Sequence, residues 1–392
     1  MDAVIVGAGP AGCECARRLA AAGYSVAVIE EHDSAGEPVH CTGIISAHAY
    51  EAFSLPLDPV QSELTAAELI SPGGVCLRVD LNGTRAYTVD RRAVDLALAR
   101  RAEEAGALFS YRTKVREASV DPTGVRLVGT RSGRPWSLRA RAVVLATGAR
   151  SRLPVALGLA ASRGAVWGAQ AEVPVASPTT TMRVWLGRAL VPGGFGWVVP
   201  GAPGWSRVGV LTRGNPRQAL RRLAERALDG AGKEIVEARV RVHPVPAAPR
   251  CPSYADRVLS VGDAAGQVKM TTGGGVYYGL LGARIASEVL SEALSHDRLD
   301  RRHLARYEQL WRCLLGPEQK AGQMLRKLAH SMPDEAIDDI FRAADAQGMS
   351  RYLVDLLDFD WHARPGVGLA LSMLAAAPDA GRGLRWLRKL LT

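Results

Sequence analysis

Gly7-x-Gly9-x-x-Gly12, set between the apolar run Ala3-Val4-Ile5-Val6 and the helix-forming stretch Cys13 to Ala22, constrains this chain more than any other feature. The first glycine permits a tight turn. The second lets the backbone approach a pyrophosphate, and the third lets the helix pack on the strand. The helix N-terminus adds N–H donors and the positive end of its dipole. Ser25 to Ile29 reads as a second strand. Glu30 follows it, eighteen residues beyond Gly12, where a carboxylate accepts from both ribose hydroxyls of an adenosine. Gly7, Gly9, Ala11, Gly12 and Glu30 are therefore expected to bind a dinucleotide.

Composition removes other classes. The chain has 392 residues and is 47% hydrophobic but 22% charged, which excludes a disordered chain. Its six cysteines form no disulfide framework and no CxxC pair, so no metal site is expected. Met1-Asp2 leads straight into the first strand without a basic region, so no signal peptide is expected. The longest uncharged apolar run, Val367 to Ala377, is too short to span a bilayer. The formal net charge of +10 is spread widely, without basic runs interleaved with aromatics. That argues against nucleic acid and for an anionic membrane surface or a phosphorylated substrate.

Further along, Asp90 to Gly106 reads as a helix capped by Asp90. Lys114 to Val120, Val125 to Thr130 and Trp136 to Ala140 read as a meander. Val143 to Ala146 is a buried strand ending at Thr147-Gly148. Val258 to Val261 is another, ending in Gly262-Asp263-Ala264-Ala265-Gly266. An Asp at a strand end before small residues can bond the ribityl chain of FAD. These three stations, in this order, point to FAD.

On these residues the chain resembles the para-hydroxybenzoate-hydroxylase-like FAD superfamily over nearly its whole length. Asp90-Arg91 also matches, and the resemblance places Arg91 near the FAD. The fold expected is α/β (α+β). A Rossmann-like FAD-binding domain with a β-meander is drawn from residues 1–55, 88–163 and 251–300. An antiparallel-sheet substrate domain is drawn from 56–87 and 164–250, and C-terminal helices from 301–392. In the last region Leu304, Tyr307, Trp311 and Leu314 share one helical face, as do Ile337, Ile340, Phe341 and Ala344. No second GxGxxG exists, so no dedicated nicotinamide domain is expected. NAD(P)H bound transiently or a ferredoxin-like protein must supply electrons.

Three segments narrow the resemblance to the geranylgeranyl reductase family. Gly262 to Gly279 reads GDAAGQVKMTTGGGVYYG, with Met270 where that family usually has Pro. The Gly273-Gly274-Gly275 run lets backbone pass close to a flavin, and its N–H groups can stabilise negative charge on the reduced ring. Phe195-Gly196-Trp197-Val198-Val199-Pro200 matches a Tyr-x-Trp-x-Phe-Pro pattern, with Phe195 and Val199 as replacements. Strand alternation puts Phe195, Trp197 and Val199 on one apolar wall for a prenyl chain. Cys41-Thr42-Gly43-Ile44-Ile45-Ser46 matches a Cys-x-Gly-x-x-Ser segment beside the isoalloxazine, and brings Cys41 and Gly43 to the cofactor.

The resemblance implies a reductase that saturates isoprenoid C=C bonds of a prenyl lipid or prenyl diphosphate, by hydride from reduced flavin plus a proton. Cys41, a water held near Gly273 to Gly275 (with Gly274 at its centre) and a tyrosine such as Tyr277 are all open as proton donors. A quinone (menaquinone) side-chain reductase, an FAD-dependent monooxygenase and an electron-transfer flavoprotein are the rivals. Cys251 and Cys313 are too few for the iron–sulfur segment that the last commonly carries. The expected place is cytoplasmic. Peripheral membrane association stays open, since Leu384, Leu387 and Leu391 can share a face opposite Arg385, Arg388 and Lys389, with Trp386 at the boundary.

Overall fold

The computed structural model describes residues 1–161, 163–228, 240–346, 348 and 358–362. The amphipathic tail around Leu384 and the run Val367 to Ala377 lie outside them.

Ala3–Val6 is buried at all four positions, as a central parallel strand must be. It pairs in parallel with Val26–Ile29 on one side and Ala142–Leu145 on the other. Val258–Ser260 and Leu108–Ser110 extend this six-stranded sheet, and Tyr254–Ala255 closes one edge. One face is covered by the helices Pro10–Ala21, Arg91–Glu104 and Val276–Ser295, whose apolar sides share one core with Ile5, Val28 and Val144. The meander Thr113–Asp121, Gly124–Arg131 and Arg134–Ala140 covers the other, through Val125 and Leu127.

A second sheet has seven strands. Its order is Arg241–Pro246, Ala165–Val173, Ser206–Thr212, Phe195–Pro200, Thr181–Trp185, Ala66–Ile70 and Cys76–Asp80. It is antiparallel apart from one pair, Thr181–Trp185 running parallel to Ala66–Ile70. The helix Pro216–Ala227 packs on its outer face, with Leu220 and Leu223 against Val198 and Val210. Gly196 makes that approach possible, since a Cβ there would stand 2.7 Å from Leu223 Cδ2. Between the sheets, Ile44–Ser46, Ala86–Val89 and Val60–Leu64 form a small three-stranded sheet.

The helix Arg301–Ser331 buries Leu304, Tyr307, Trp311 and Leu315. Leu314, expected on that face, is 39% exposed. The helical turn carries position 315 inward instead. Ile337, Ile340, Phe341 and Ala344 are buried together, as their spacing predicts.

Candidate active site

Helix starts mark the site. The helices at Arg91, Pro216 and Arg301 are capped by the side chains of Asp90, Asn215 and Asp300. Those at Pro10 and Val276 begin at Gly9 and Gly275, with no side-chain acceptor. Their first-turn N–H groups are left for something else, and both helix starts border the same space. That space is a continuous cavity of about 1430 Å³ between the two large sheets. An ordinary ligand site holds roughly 300–1,000 Å³. The volume suits a dinucleotide and a second molecule together.

The parallel-sheet side carries the expected cofactor residues. Gly7, Gly9, Ala11 and Gly12 line the cavity. Gly7 is held at φ +109°, and a Cβ on it would stand 2.3 Å from Ala146 O. Gly9 and Gly148 have no atom within 4 Å of where a Cβ would be, so the backbone itself faces open space there. Glu30 lies at the wall, where its carboxylate accepts from Ala8 N at 2.9 Å and His32 N at 3.0 Å. It braces the glycine turn; His32 Nδ1 also meets Oε1 at 2.6 Å, so Oε2 keeps the lone pair for a ribose. Thr147 Oγ1 lines the cavity, buried and without a protein partner.

Arg91 and Asp263 set the electrostatics. Arg91 Nε and Nη2 donate to Asp95 Oδ1 and Oδ2 at 3.1 and 3.0 Å. Burial opposes its charge, and the Asp95 carboxylate more than restores it, leaving a firm cation. Asp263 follows Gly262, and burial pushes its carboxyl up to about 6 against the pull of Arg91. A Cβ on Gly275 would stand 2.7 Å from Asp263 Oδ1, so the triple-glycine turn packs directly on that carboxylate. Within the turn, Gly273 N donates to Lys269 O at 2.8 Å, and Gly274 N lies 3.4 Å from Thr272 Oγ1. Of the three amides expected to face negative charge, Gly273's is thus already engaged.

The second sheet supplies an apolar wall. Leu69 pairs with Val184, Val184 with Trp197, and Phe195 with Leu211 across adjacent strands, so their side chains share one face. All five line the cavity. Gly209 makes room for the Trp197 indole, since a Cβ there would stand 2.2 Å from Trp197 Cζ2.

Three expected residues fall outside the cavity lining. Val199 is fully buried, because its cross-strand neighbour Arg207 closes that end of the wall. Arg207 Nη1 donates to Thr42 O and Val89 O at 2.8 and 2.9 Å. Gly43 sits behind the wall at φ +77°, with its N–H on Cys41 Sγ at 3.4 Å and no room for a Cβ beside Val89 O. Tyr277 points into an aromatic cluster with His48, Phe53, Tyr278 and Trp361. Its hydroxyl lies 3.5 Å from His48 Nε2, and burial pushes it up to about 12.

Cys41 itself lines the cavity, and Gln170 fixes its loop. Gln170 Nε2 donates to Cys41 O at 3.1 Å, and its Oε1 accepts from Thr42 Oγ1 at 2.8 Å. Gln170, Arg207 and Lys269 escaped sequence reasoning. Lys269 lines the cavity and donates to Phe359 O and Asp360 Oδ1 at 2.8 and 3.1 Å. Burial lowers its pKa, with Asp360 opposing. The one available signal was Lys269 as the only charged residue between Gly266 and Gly279.

The uncapped helix starts, the open glycines and the orphaned Thr147 hydroxyl fit a flavin dinucleotide. Residues 1–172 match the family described as pyridine nucleotide-disulphide oxidoreductase. A crystal structure of a geranylgeranyl bacteriochlorophyll reductase-like protein from Thermoplasma acidophilum shares the fold. Its TM-score is 0.81 at 20% identity, covering 99% of this chain and 98% of that one. A halogenase crystallised in complex with FAD shares the fold more loosely, with a TM-score of 0.69 at 13% identity, covering 99% and 94% of the two chains. Digeranylgeranylglycerophospholipid reductase 2 of Methanopyrus kandleri is 34% identical over 369 residues, 89% of this chain and 92% of that protein. With such identity over almost all of both chains, this protein belongs to the geranylgeranyl reductase family of FAD-dependent oxidoreductases.

Proposed function

We propose that the protein saturates C=C bonds of geranylgeranyl-type isoprenoid chains carried on a prenyl lipid or prenyl diphosphate. The observation that carries this reading is the single cavity joining the glycine-rich cofactor wall to the apolar face of Leu69, Val184, Phe195, Trp197 and Leu211. FAD, reduced by an external nicotinamide or ferredoxin-like donor, supplies the hydride when bound. The turn Gly7 to Gly12 would hold its pyrophosphate, Glu30 its adenosine ribose, and Asp263 with Thr147 and Gly148 the chain leading to the ring. An isolated alkene is a poor hydride acceptor, so the protein must fix the double bond and deliver a proton nearly in concert.

The apolar wall aligns the chain and excludes water. Cys41 faces the same space and is the residue that delivers or positions the proton. Tyr277 does not reach it. Access for a prenyl lipid implies contact with a membrane surface. No helix among the described residues is long and apolar enough to cross a membrane.

The test is anaerobic. Photoreduced holoenzyme mixed with a geranylgeranyl lipid should reoxidise its flavin, and the product should gain two hydrogens per bond saturated. Failure to reoxidise with every prenyl substrate, or consumption of oxygen coupled to a hydroxylated product, would overturn the reading.

A further inference from the structure

The cavity face of the seven-stranded sheet changes character across its width. Beyond the apolar strands, Gly168 pairs with His243 and Gln170 with Arg241 at the edge strand. His243 stacks on His40, from the loop that carries Cys41, with ring centroids 4.3 Å apart and planes inclined by 21°. Arg150 Nη2 donates to Val242 O at 2.8 Å, and Arg241 Nη1 donates to Val39 O at 2.9 Å. Each imidazole thus has a guanidinium tied to the backbone residue next to it. His40, His243 and Arg150 line the cavity, and Arg150 is exposed.

Among the described residues no carboxylate bonds this group; each arginine bonds only a carbonyl. Nδ1 of both histidines is buried without a partner. Burial above all holds both imidazoles below their ordinary range, helped at His40 by Arg150 and Arg241 and at His243 by His40 and then Arg150. Cations gathered at a partly buried site repel unless an anion joins them. Guanidinium N–H groups and unmatched ring nitrogens are the donors that phosphate oxygens accept from.

We propose that His40, His243, Arg150 and Arg241 form the site for the phosphate or diphosphate headgroup of the isoprenoid substrate. It stands where the apolar wall gives way to polar strands, so an anionic head there sends its tail along Leu211, Trp197 and Val184. The proposal rests on the function argued above. The same phosphate chemistry belongs to FAD and to a nicotinamide donor, and the experiment separates them.

Inorganic diphosphate is titrated calorimetrically into full-length, FAD-loaded wild type, Arg150→Gln, His243→Gln and Arg150→Lys. The two neutral replacements should weaken binding by about tenfold or more each, and lysine should keep most of it. In turnover, the preference in kcat/KM for geranylgeranyl diphosphate over geranylgeraniol should collapse in the neutral variants through KM. Unchanged diphosphate affinity would overturn the site. So would loss of FAD from the variants, which would assign the cluster to the cofactor, or a rise in KM for NAD(P)H alone. If wild type reduces neither of these compounds nor a geranylgeranyl lipid, the proposed function falls; if it reduces the lipid alone, the diphosphate headgroup assignment falls. Lost binding with both reductions intact and no change in preference sinks only the headgroup assignment.

Discussion

Asp263→Asn separates what the cofactor site demands from what the fold tolerates. Burial raises the Asp263 carboxyl from 3.8 to about 6, with Arg91 opposing. A shift of roughly two units corresponds to about 3 kcal/mol at 1.36 kcal/mol per unit. A carboxyl whose folded pKa is raised supports the fold fully only below its unfolded value. That support is lost as pH rises from about 4 to about 6, and above that range the buried charge is a standing cost. Asparagine has nearly the same shape and no charge to desolvate, and Arg91 keeps its bidentate pair with Asp95. Flavin-stripped Asp263→Asn should therefore be more stable than flavin-stripped wild type by up to about 3 kcal/mol at pH 7. The gain should shrink to nothing near pH 4, while FAD affinity of the variant falls. Denaturant unfolding of both proteins between pH 4 and 8 measures this. A variant no more stable at pH 7, or a gain that does not vanish towards pH 4, would refute the reasoning.

Two further substitutions probe the other walls. Cys41→Ala should cut turnover by about a hundredfold or more with FAD content intact, as loss of a positioned proton donor does, while Tyr277→Phe stays near wild type; the reverse order in single-turnover rates would return the donor's role to Tyr277. Gly209→Ala puts a methyl 2.2 Å from Trp197 Cζ2 and must drive the indole towards the substrate face. It should cost about 1–3 kcal/mol in thermal unfolding and raise KM for the prenyl substrate, and an unchanged melting temperature would show that the indole has free space.

The glycine-rich wall of the cavity was legible because each of its residues is specified locally. A strand, a glycine at positive φ and a helix start lie within a dozen positions, and only certain residues can occupy them. Thr147, Gly148, Gly262 and Asp263 follow the same rule at the ends of two other strands. The substrate wall was half legible. Alternation correctly grouped Phe195 with Trp197, but it could not see that Arg207, from the neighbouring strand, covers Val199. Tyr277 failed for a related reason. Adjacency to the glycine run fixes where its backbone lies, whereas its ring direction depends on Trp361, 84 residues away in sequence. Gln170, Lys269 and the His40–His243 pair act through contacts between distant segments, which single-sequence patterns do not encode.

Those same distant contacts decide where Cys41 sits. Its loop leaves the parallel-sheet unit after Glu30, yet the second sheet holds much of it. Gln170 grips Cys41 O and Thr42 Oγ1, Arg207 grips Thr42 O, and Arg241 grips Val39 O. Arg91, from the parallel-sheet side, packs against the same loop at Gly43. The Cys41 end of the cavity, the reacting edge in the proposed function, is therefore positioned jointly by the second sheet and by the helix Arg91–Glu104. A substrate that shifts the strand Ala165–Val173 shifts Cys41 with it through Gln170. Coupling of this kind means that the length and headgroup of the prenyl chain act on the proton-transfer geometry as well as on affinity. Chain-shortened substrates should lose kcat, and not only raise KM, as remote binding energy is withdrawn.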